Sequence, residues 1–222
     1  MSKYSIENAS TTNLKNWDKF VDISINGTIY HKRKFLSYHG KLYKNDERWW
    51  VIKKGNEVIA QISYCLFEHD NLIFGRSPYG GSYGGFILKD QPNYKTISEI
   101  VKLFNDHLIR NNIYSFIITH PIACCSVTHL DLIPYVLIEN GYQSISRQIS
   151  SIINLSNGNI EDIVSSRARN MEKKAINNGL VLRQSAPIDD FWVPMSETFK
   201  KHSSEPTHTK NQLQILMKKF PK

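Results

Sequence analysis

The fold is decided by residues 49–67, which read WWVIKKGNEVIAQISYCLF. Residues 49–53 are rich in aromatic and β-branched side chains, and residues 54–56 carry a Lys-Gly-Asn turn signal. Apolar residues then recur at every second position, on one face, at Val58, Ala60, Ile62, Tyr64 and Leu66. This alternation has the period of a strand, so the segment predicts two antiparallel strands joined by a tight turn.

Short apolar runs on both sides extend this pair into a larger sheet. Residues 72–75 and 85–88 predict two further strands of an antiparallel meander, and residues 113–119 form a nearly continuous apolar run that is typical of a strand covered on both faces. Helical spacing predicts helices over residues 12–23, 32–38, 96–110 and 132–138. With a last strand at residues 142–155, the pattern predicts a mixed α/β (α+β) domain, a mixed sheet flanked by helices, over residues 1–155.

A second unit is expected over residues 156–222. Its pattern predicts helices at residues 159–178, 189–202 and 210–219, with a short strand at residues 180–183. One short strand has no sheet of its own to join, so this unit is expected to be the opening part of a domain.

Composition excludes several classes of protein. The chain has 222 residues, 28 Lys and Arg against 20 Asp and Glu, and three cysteines that cannot all pair, which argues against a disulfide scaffold. No apolar run approaches the roughly 20 residues of a membrane span, and the first residues lack the apolar core of a signal peptide. We therefore expect a cytoplasmic protein without an integral membrane segment.

The net charge of +8 is unevenly distributed. Residues 161–222 contain eleven Lys and Arg and seven Asp and Glu, a net of +4 and half of the total. Such a bias favours an anionic partner, although solubility alone explains many basic proteins.

The most unusual stretch is residues 77–85, SPYGGSYGG. Its four glycines allow the backbone to approach a ligand closely, and Tyr79 and Tyr83 add stacking and hydrogen-bonding surfaces. No Lys-Ser/Thr follows the glycines as in a Walker loop, and the spacing is not that of the dinucleotide fingerprint. The alternative interpretation is a wide loop that joins two strands of the meander.

Cationic and histidine side chains form a second group of candidates. Arg167, Arg169, Lys173 and Lys174 lie on neighbouring faces of one predicted helix, where they could converge on a phosphate or carboxylate. The alternative is a solvated helix face. His31, His120 and His208 lie near ends of predicted elements, where proton transfer or ligand contact is plausible, but none belongs to a metal-binding pattern.

Three segments resemble the FemAB-like branch of the GNAT acyltransferase superfamily, whose members carry two tandem GNAT-like domains. Residues 27–31, GTIYH, look like the family's early N-G-T-x-x-H turn, and residues 77–85 look like its S-P-x-x-x-x-Y-G-G segment. Residues 169–179 are similar to its R-N-I-x-K-A…G-V helix, and residues 206–209 suit its next loop. The resemblance covers the first domain and the beginning of the second, so the second GNAT-like domain looks truncated.

The resemblance implies acyl or aminoacyl transfer to an amine or hydroxyl of a sugar or cell-envelope precursor. Arg76 is followed by glycines one position too late for the R-x-x-G-x-G/A loop of acetyl-CoA-dependent relatives, which leaves the donor open between an acyl-CoA and an aminoacyl-tRNA. The expected partners are an anionic small molecule or precursor and tRNA. The residues expected to bind substrate are Tyr30, His31, Tyr79, Gly80, Tyr83, Gly84, Arg167, Arg169, Lys173 and His208; no catalytic residue or metal ligand is assigned.

Two other functions remain open. One is a non-catalytic precursor-binding remnant of such an enzyme, which the short second unit favours. The other is general nucleic-acid binding, which rests on charge alone and would show a steep salt dependence.

Overall fold

The structure is a computed structural model that describes residues 3–128, 130–154, 163–183 and 187–221. The chain divides into two compact units. The first runs through Arg147 and includes Ile215–Lys222, and the second comprises Gln148–Gln214.

A six-stranded sheet forms the centre of the first unit. The strands are β1 (Tyr4–Asn8), β2 (Glu47–Lys54), β3 (Glu57–His69), β4 (Leu72–Ser77), β5 (Ile87–Leu88) and β6 (Ile113–Ile118). Their order is β1-β2-β3-β4-β6, and β5 pairs with β3 beyond the end of β4. Every pairing is antiparallel except that of β4 with β6, which is parallel.

Helices cover both faces of this sheet. The first unit contains α1 (Thr11–Ile23), α2 (Arg33–Leu36), α3 (Tyr94–Arg110) and α4 (Leu132–Glu139), with short 3₁₀ turns at Ile29–His31, Ser37–His39 and Ala123–Cys125. The second unit contains α5 (Ser166–Asn177), α6 (Ile188–Lys201) and the start of α7 (Lys210–Lys219), whose last turns belong to the first unit. No helix in the described ranges is both long enough and apolar enough to cross a membrane.

The alternation of β3 explains the two-sided core. Successive side chains of a strand point to opposite faces of its sheet. Ile62 and Tyr64 pack with Phe104 and other residues of α3 and α4, whereas Cys65 packs in a second cluster with Trp17 and further residues of α1 and α2. Both clusters are buried, so the predicted mixed α/β class, a sheet flanked by helices, is confirmed.

Two predicted strands are wrong where the structure describes them. Residues 142–154 and 180–183 form no strand, because a strand requires a neighbour to take up its backbone hydrogen bonds and neither segment has one among the described residues. Conversely, β1 was not predicted from the sequence. The predicted boundary at residues 155 and 156 lies outside the described residues.

Candidate functional site

The carboxyl ends of β4 and β6 are the natural place for a ligand. In open sheets, ligands bind in the crevice beyond the carboxyl ends of parallel strands, and β4 and β6 are the parallel pair of this sheet. Beyond their last residues the Thr119 amide donates to the Ser77 carbonyl, and the Gly84 amide donates to the Thr119 carbonyl, both at 2.8 Å. These bonds bring the glycine- and tyrosine-rich loop, residues 77–86, over the end of the parallel pair.

Ser77 holds the two ends of this loop together. Its buried hydroxyl donates to the Ser63 carbonyl of β3 (2.7 Å) and accepts from the Gly85 amide (2.8 Å). A second clamp comes from the buried Asn26, whose side chain donates to the Phe86 carbonyl (2.7 Å) and accepts from the Leu88 amide (2.8 Å). The loop is therefore tied to the sheet at its start and at its end.

His31 lies beneath the loop in one defined tautomer. Its Nδ1 accepts a hydrogen bond from the Thr28 amide (3.0 Å), so the proton of the neutral ring resides on Nε2. Burial lowers the pKa of His31 to about 4, against a smaller opposing effect of the Gly84 backbone. Its Nε2 has no partner at hydrogen-bonding geometry among the described residues. His31 is thus a neutral, buried donor and is not poised to accept a proton.

His120 approaches the same point from the end of β6. Its ring lies close to Gly85, where an added Cβ would come within 3.4 Å of Nδ1. Burial lowers the pKa of His120, so this half-buried imidazole is neutral at physiological pH. A neutral imidazole next to a crevice has the protonation state that a general base requires.

Gly80 is fixed by two ring side chains. Tyr38 donates its hydroxyl to the Gly80 carbonyl (3.2 Å), and His39 Nε2 lies 2.8 Å from the same oxygen. Gly80 has a φ of +65°, a left-handed conformation in which a side chain is unfavourable. This part of the loop is therefore positioned by the short turns that follow α2.

Tyrosine rings cover the rest of the loop. Tyr30 and Tyr83 meet edge to face with their centroids 5.6 Å apart. Tyr79 is buried and donates its hydroxyl to Glu47 (3.2 Å). Burial, followed by the nearby Glu47 carboxylate, raises the pKa of Tyr79. Tyr79 therefore remains a neutral structural donor, whereas the half-buried Tyr30 and Tyr83 remain accessible to a ligand.

The structure brings six of the ten predicted residues together around this loop: Tyr30, His31, Tyr79, Gly80, Tyr83 and Gly84. The other four lie in the second unit. Arg167, Arg169 and Lys173 are exposed on α5, and His208 is half-buried between α6 and α7. Their substrate-binding roles stay predictions.

Two residues of the site, Thr28 and Ser77, were not singled out from the sequence. His120 was named there as one of three histidines near element ends, but not among the residues expected to bind substrate. Ser77 and Thr28 lie inside the quoted motifs. The hydrogen bonds of Ser77 to the backbone of Ser63 and Gly85 leave no mark on the sequence, whereas Thr28 bonds locally to His31 and Tyr30. His120 lies two residues beyond β6, and this place at the end of a predicted strand is the signal that points to it. The expectation that β6 is covered on both faces is wrong, because β6 is at the edge of the sheet and Tyr114 and Ile117 are exposed. Among the described residues, no group of three or more His, Cys, Asp or Glu side chains is arranged to hold a metal ion.

Comparisons with known proteins find similar folds and no close relative. No family model matches the chain, and no curated protein matches. A GNAT family acetyltransferase from Staphylococcus aureus is 12% identical over 69% of this chain and all of its own, with a TM-score of 0.43. Glucosamine-6-phosphate N-acetyltransferase from Arabidopsis thaliana is 14% identical over 68% of this chain and 99% of its own (TM-score 0.40).

A third similar structure is an aminoglycoside acetyltransferase from an uncultured soil metagenomic sample, in complex with trehalose. It is 8% identical over 68% of this chain and 96% of its own, with a TM-score of 0.44. With TM-scores below 0.5, none of these three similarities assigns an activity to this chain.

Proposed function

We propose that the first unit carries an acyltransferase site in the crevice beyond β4 and β6. One observation supports this most directly: the two motifs that resemble the FemAB-like family, residues 27–31 and 77–85, are in contact although they are distant in sequence. The contacts are the Tyr30–Tyr83 ring pair and the approach of His31 to the Gly84 backbone.

The chemistry that these residues can supply is proton transfer. In the proposed reaction, His120 removes a proton from the acceptor amine or hydroxyl as that atom attacks the acyl carbonyl. The carbonyl oxygen then carries negative charge until the leaving group departs and takes up a proton. His31 is assigned a positioning role, since its Nδ1 is already engaged by Thr28 and its Nε2 faces the loop.

The donor of the acyl group is left open between an acyl-CoA and an aminoacyl-tRNA. A phosphate bound at the start of a helix would meet several free amide groups. Here the loop after β4 leads into β5, and α3 begins only at Tyr94. The residues after β4 therefore do not fit a diphosphate held by a helix start.

We expect His120→Gln to lower kcat by about 100-fold, because a general base contributes at least that factor. The assay offers acetyl-CoA or aminoacyl-tRNA as donor and amino sugars as acceptors, and follows acyl transfer to the acceptor. Burial lowers the pKa of His120 below its usual 6.5, so the base becomes protonated only at more acidic pH. The rate of the wild-type protein should therefore decrease as the pH falls below 6.5, and the rate of His120→Gln should not show this decrease.

His69→Gln is the matched control, since that histidine is exposed at the end of β3, with 80% of its side chain accessible. It should leave the rate and its pH profile unchanged. An unchanged kcat and pH profile in His120→Gln would remove His120 from the mechanism. Acceptor binding without turnover by any donor would instead favour the precursor-binding remnant.

We further propose that the acceptor is an anionic sugar or cell-envelope precursor, with Arg167, Arg169, Lys173 and His208 binding its anionic part. Replacing Arg169 and Lys173 with Ala should raise KM for an anionic acceptor by about tenfold, because the loss of one hydrogen bond to a charged group weakens binding by about that factor. The KM for a neutral amino sugar should not change. An equal change for both acceptors would contradict this role.

A further inference from the structure

A groove of about 600 Å³ opens on the first unit, and neither His31 nor His120 lines it. It lies between α1, α2, the turn after Ser37–His39 and the start of β2. Five of its lining residues are cationic: Lys15, Arg33, Lys34, Lys41 and Lys44. They come from separate parts of the chain, so the concentration of charge is a product of the fold.

The two acidic residues of the groove are already engaged. Asp18 accepts from the backbone amides of Arg33 (2.7 Å) and Lys34 (3.1 Å), one with each carboxylate oxygen. Glu47 accepts from the Tyr79 hydroxyl. Lys15, Lys41 and Lys44 are exposed, and none of the five cations forms an ion pair with a carboxylate in the described part of the chain. The groove therefore carries a positive charge that the protein does not neutralise.

Arg33 is held in place at the groove. Its Nη1 donates to the Leu14 carbonyl (2.8 Å), and its guanidinium lies 5.4 Å from the centre of the Trp49 ring. A guanidinium has five N–H donors in a fixed planar arrangement, and Arg33 uses one of them to bond to Leu14. The other four donors keep a fixed geometry in which they can bind an oxyanion. Such an arrangement matches a phosphate group better than a single point charge does.

We infer that this groove binds a small phosphorylated ligand through a diphosphate group. Its excess of three positive charges, five cations against two carboxylates, calls for a ligand with more than one negative charge. A single carboxylate would leave most of the excess unneutralised, whereas a diphosphate carries several negative oxygens within the span of the groove. The concave shape favours a small molecule over an extended polyanion.

The groove has a direct physical connection to the glycine- and tyrosine-rich loop. His39 lines the groove, and its Nε2 lies 2.8 Å from the Gly80 carbonyl. Tyr43 also lines the groove and packs edge to face on Tyr79, with centroids 5.5 Å apart. Neither His31 nor His120 lines the groove, so binding of a diphosphate here can be tested without acyl transfer.

The test is isothermal titration calorimetry of the full chain with inorganic pyrophosphate and, separately, ADP at a fixed salt concentration. We expect one site for each ligand and mutual competition, which assigns recognition to the shared diphosphate. Lys41→Gln combined with Lys44→Gln should weaken both Kd values by about tenfold or more, since each replacement removes a charge-assisted contact. Both lysines are exposed, so the double variant retains its core.

One control removes the same charge elsewhere. Lys95→Gln with Lys102→Gln acts on exposed residues of α3. It should change the Kd less than twofold. The inference is overturned if this control weakens binding as much as the groove variant, or if pyrophosphate does not bind. Binding of single-stranded RNA alone would also overturn it. Because no turnover is measured, the result is separate from that of the acyltransferase assay.

Discussion

Gly84→Ala should lower the free energy of unfolding by about 3 kcal/mol, as expected for overpacking at a site with no room to relax. An added Cβ would lie 2.4 Å from the Pro78 nitrogen and 2.6 Å from both the Ser77 carbonyl carbon and the Ser77 hydroxyl oxygen. Two of these atoms belong to the backbone, and the third is the hydroxyl that clamps the loop. The chain must therefore move at the point where the loop leaves β4.

Gly81→Ala is the matched control within the same loop. Neither glycine has a φ in the left-handed region, so the two substitutions differ in the space available and not in backbone strain. At Gly81 the nearest atom to an added Cβ is a carbon of the Tyr30 ring at 3.3 Å, so a small displacement suffices. We expect a change below about 1 kcal/mol there.

Urea denaturation monitored by tryptophan fluorescence measures both values. If the two variants lose similar stability, the loop does not pass Ser77 and Pro78 as described. The Gly84 variant should also lose acyl transfer, because the Gly84 amide bond to Thr119 spans the carboxyl ends of β4 and β6. Gly81→Ala should retain activity.

The sequence predicted the elements whose own side chains specify them. β2 is rich in aromatic and β-branched residues, β3 has apolar residues at every second position, and α3 has a continuous apolar stripe, so local pattern alone identified them. β1 has only a weak alternation of apolar and polar residues. It is stabilised by pairing with β2, in a register that places Ile6 opposite Ile52. The segment at residues 142–154 shows the reverse case: it has a strand-like composition but no adjacent strand among the described residues.

The candidate site was predictable only in part for the same reason. The two motifs could be recognised as unusual, but their contact depends on the sheet order that places β4 beside β6. The groove could not be predicted at all, because Lys15 and Lys44 are separated by 29 positions and look like ordinary surface lysines. Local sequence specifies elements, whereas the convergence of charges is set by packing.

Acidification should destabilise the protein between pH 6.5 and 4, because two histidines are buried in the neutral form. Burial lowers the pKa of His31 and that of His107 to about 4, against 6.5 in the unfolded chain. At pH values between these two, the unfolded state binds more protons than the folded state, so stability rises with pH. The stabilisation is complete above 6.5 and is lost as the pH falls toward 4, by about 3 kcal/mol for each histidine.

His107 provides the sharper test because it is buried and has a polar neighbour at each ring nitrogen. It is 4% exposed, its Nε2 lies 2.7 Å from the Tyr64 hydroxyl, and its Nδ1 lies 3.1 Å from the Asn111 amide nitrogen. Burial, followed by the charge of Arg110, disfavours the imidazolium. Gln at this position can bond to Tyr64 and does not titrate, so His107→Gln should remove roughly half of the loss of stability between pH 6.5 and 4.

Urea unfolding at a series of pH values separates this effect from a simple packing defect. A packing defect shifts the whole curve of stability against pH by a constant amount, whereas loss of a titrating group changes its slope. His69→Gln alters an exposed histidine and should change neither the slope nor the level. If His107→Gln retains the wild-type slope, the imidazole is not held neutral by the core, and the acid sensitivity must then arise from His31 and His120 at the proposed site.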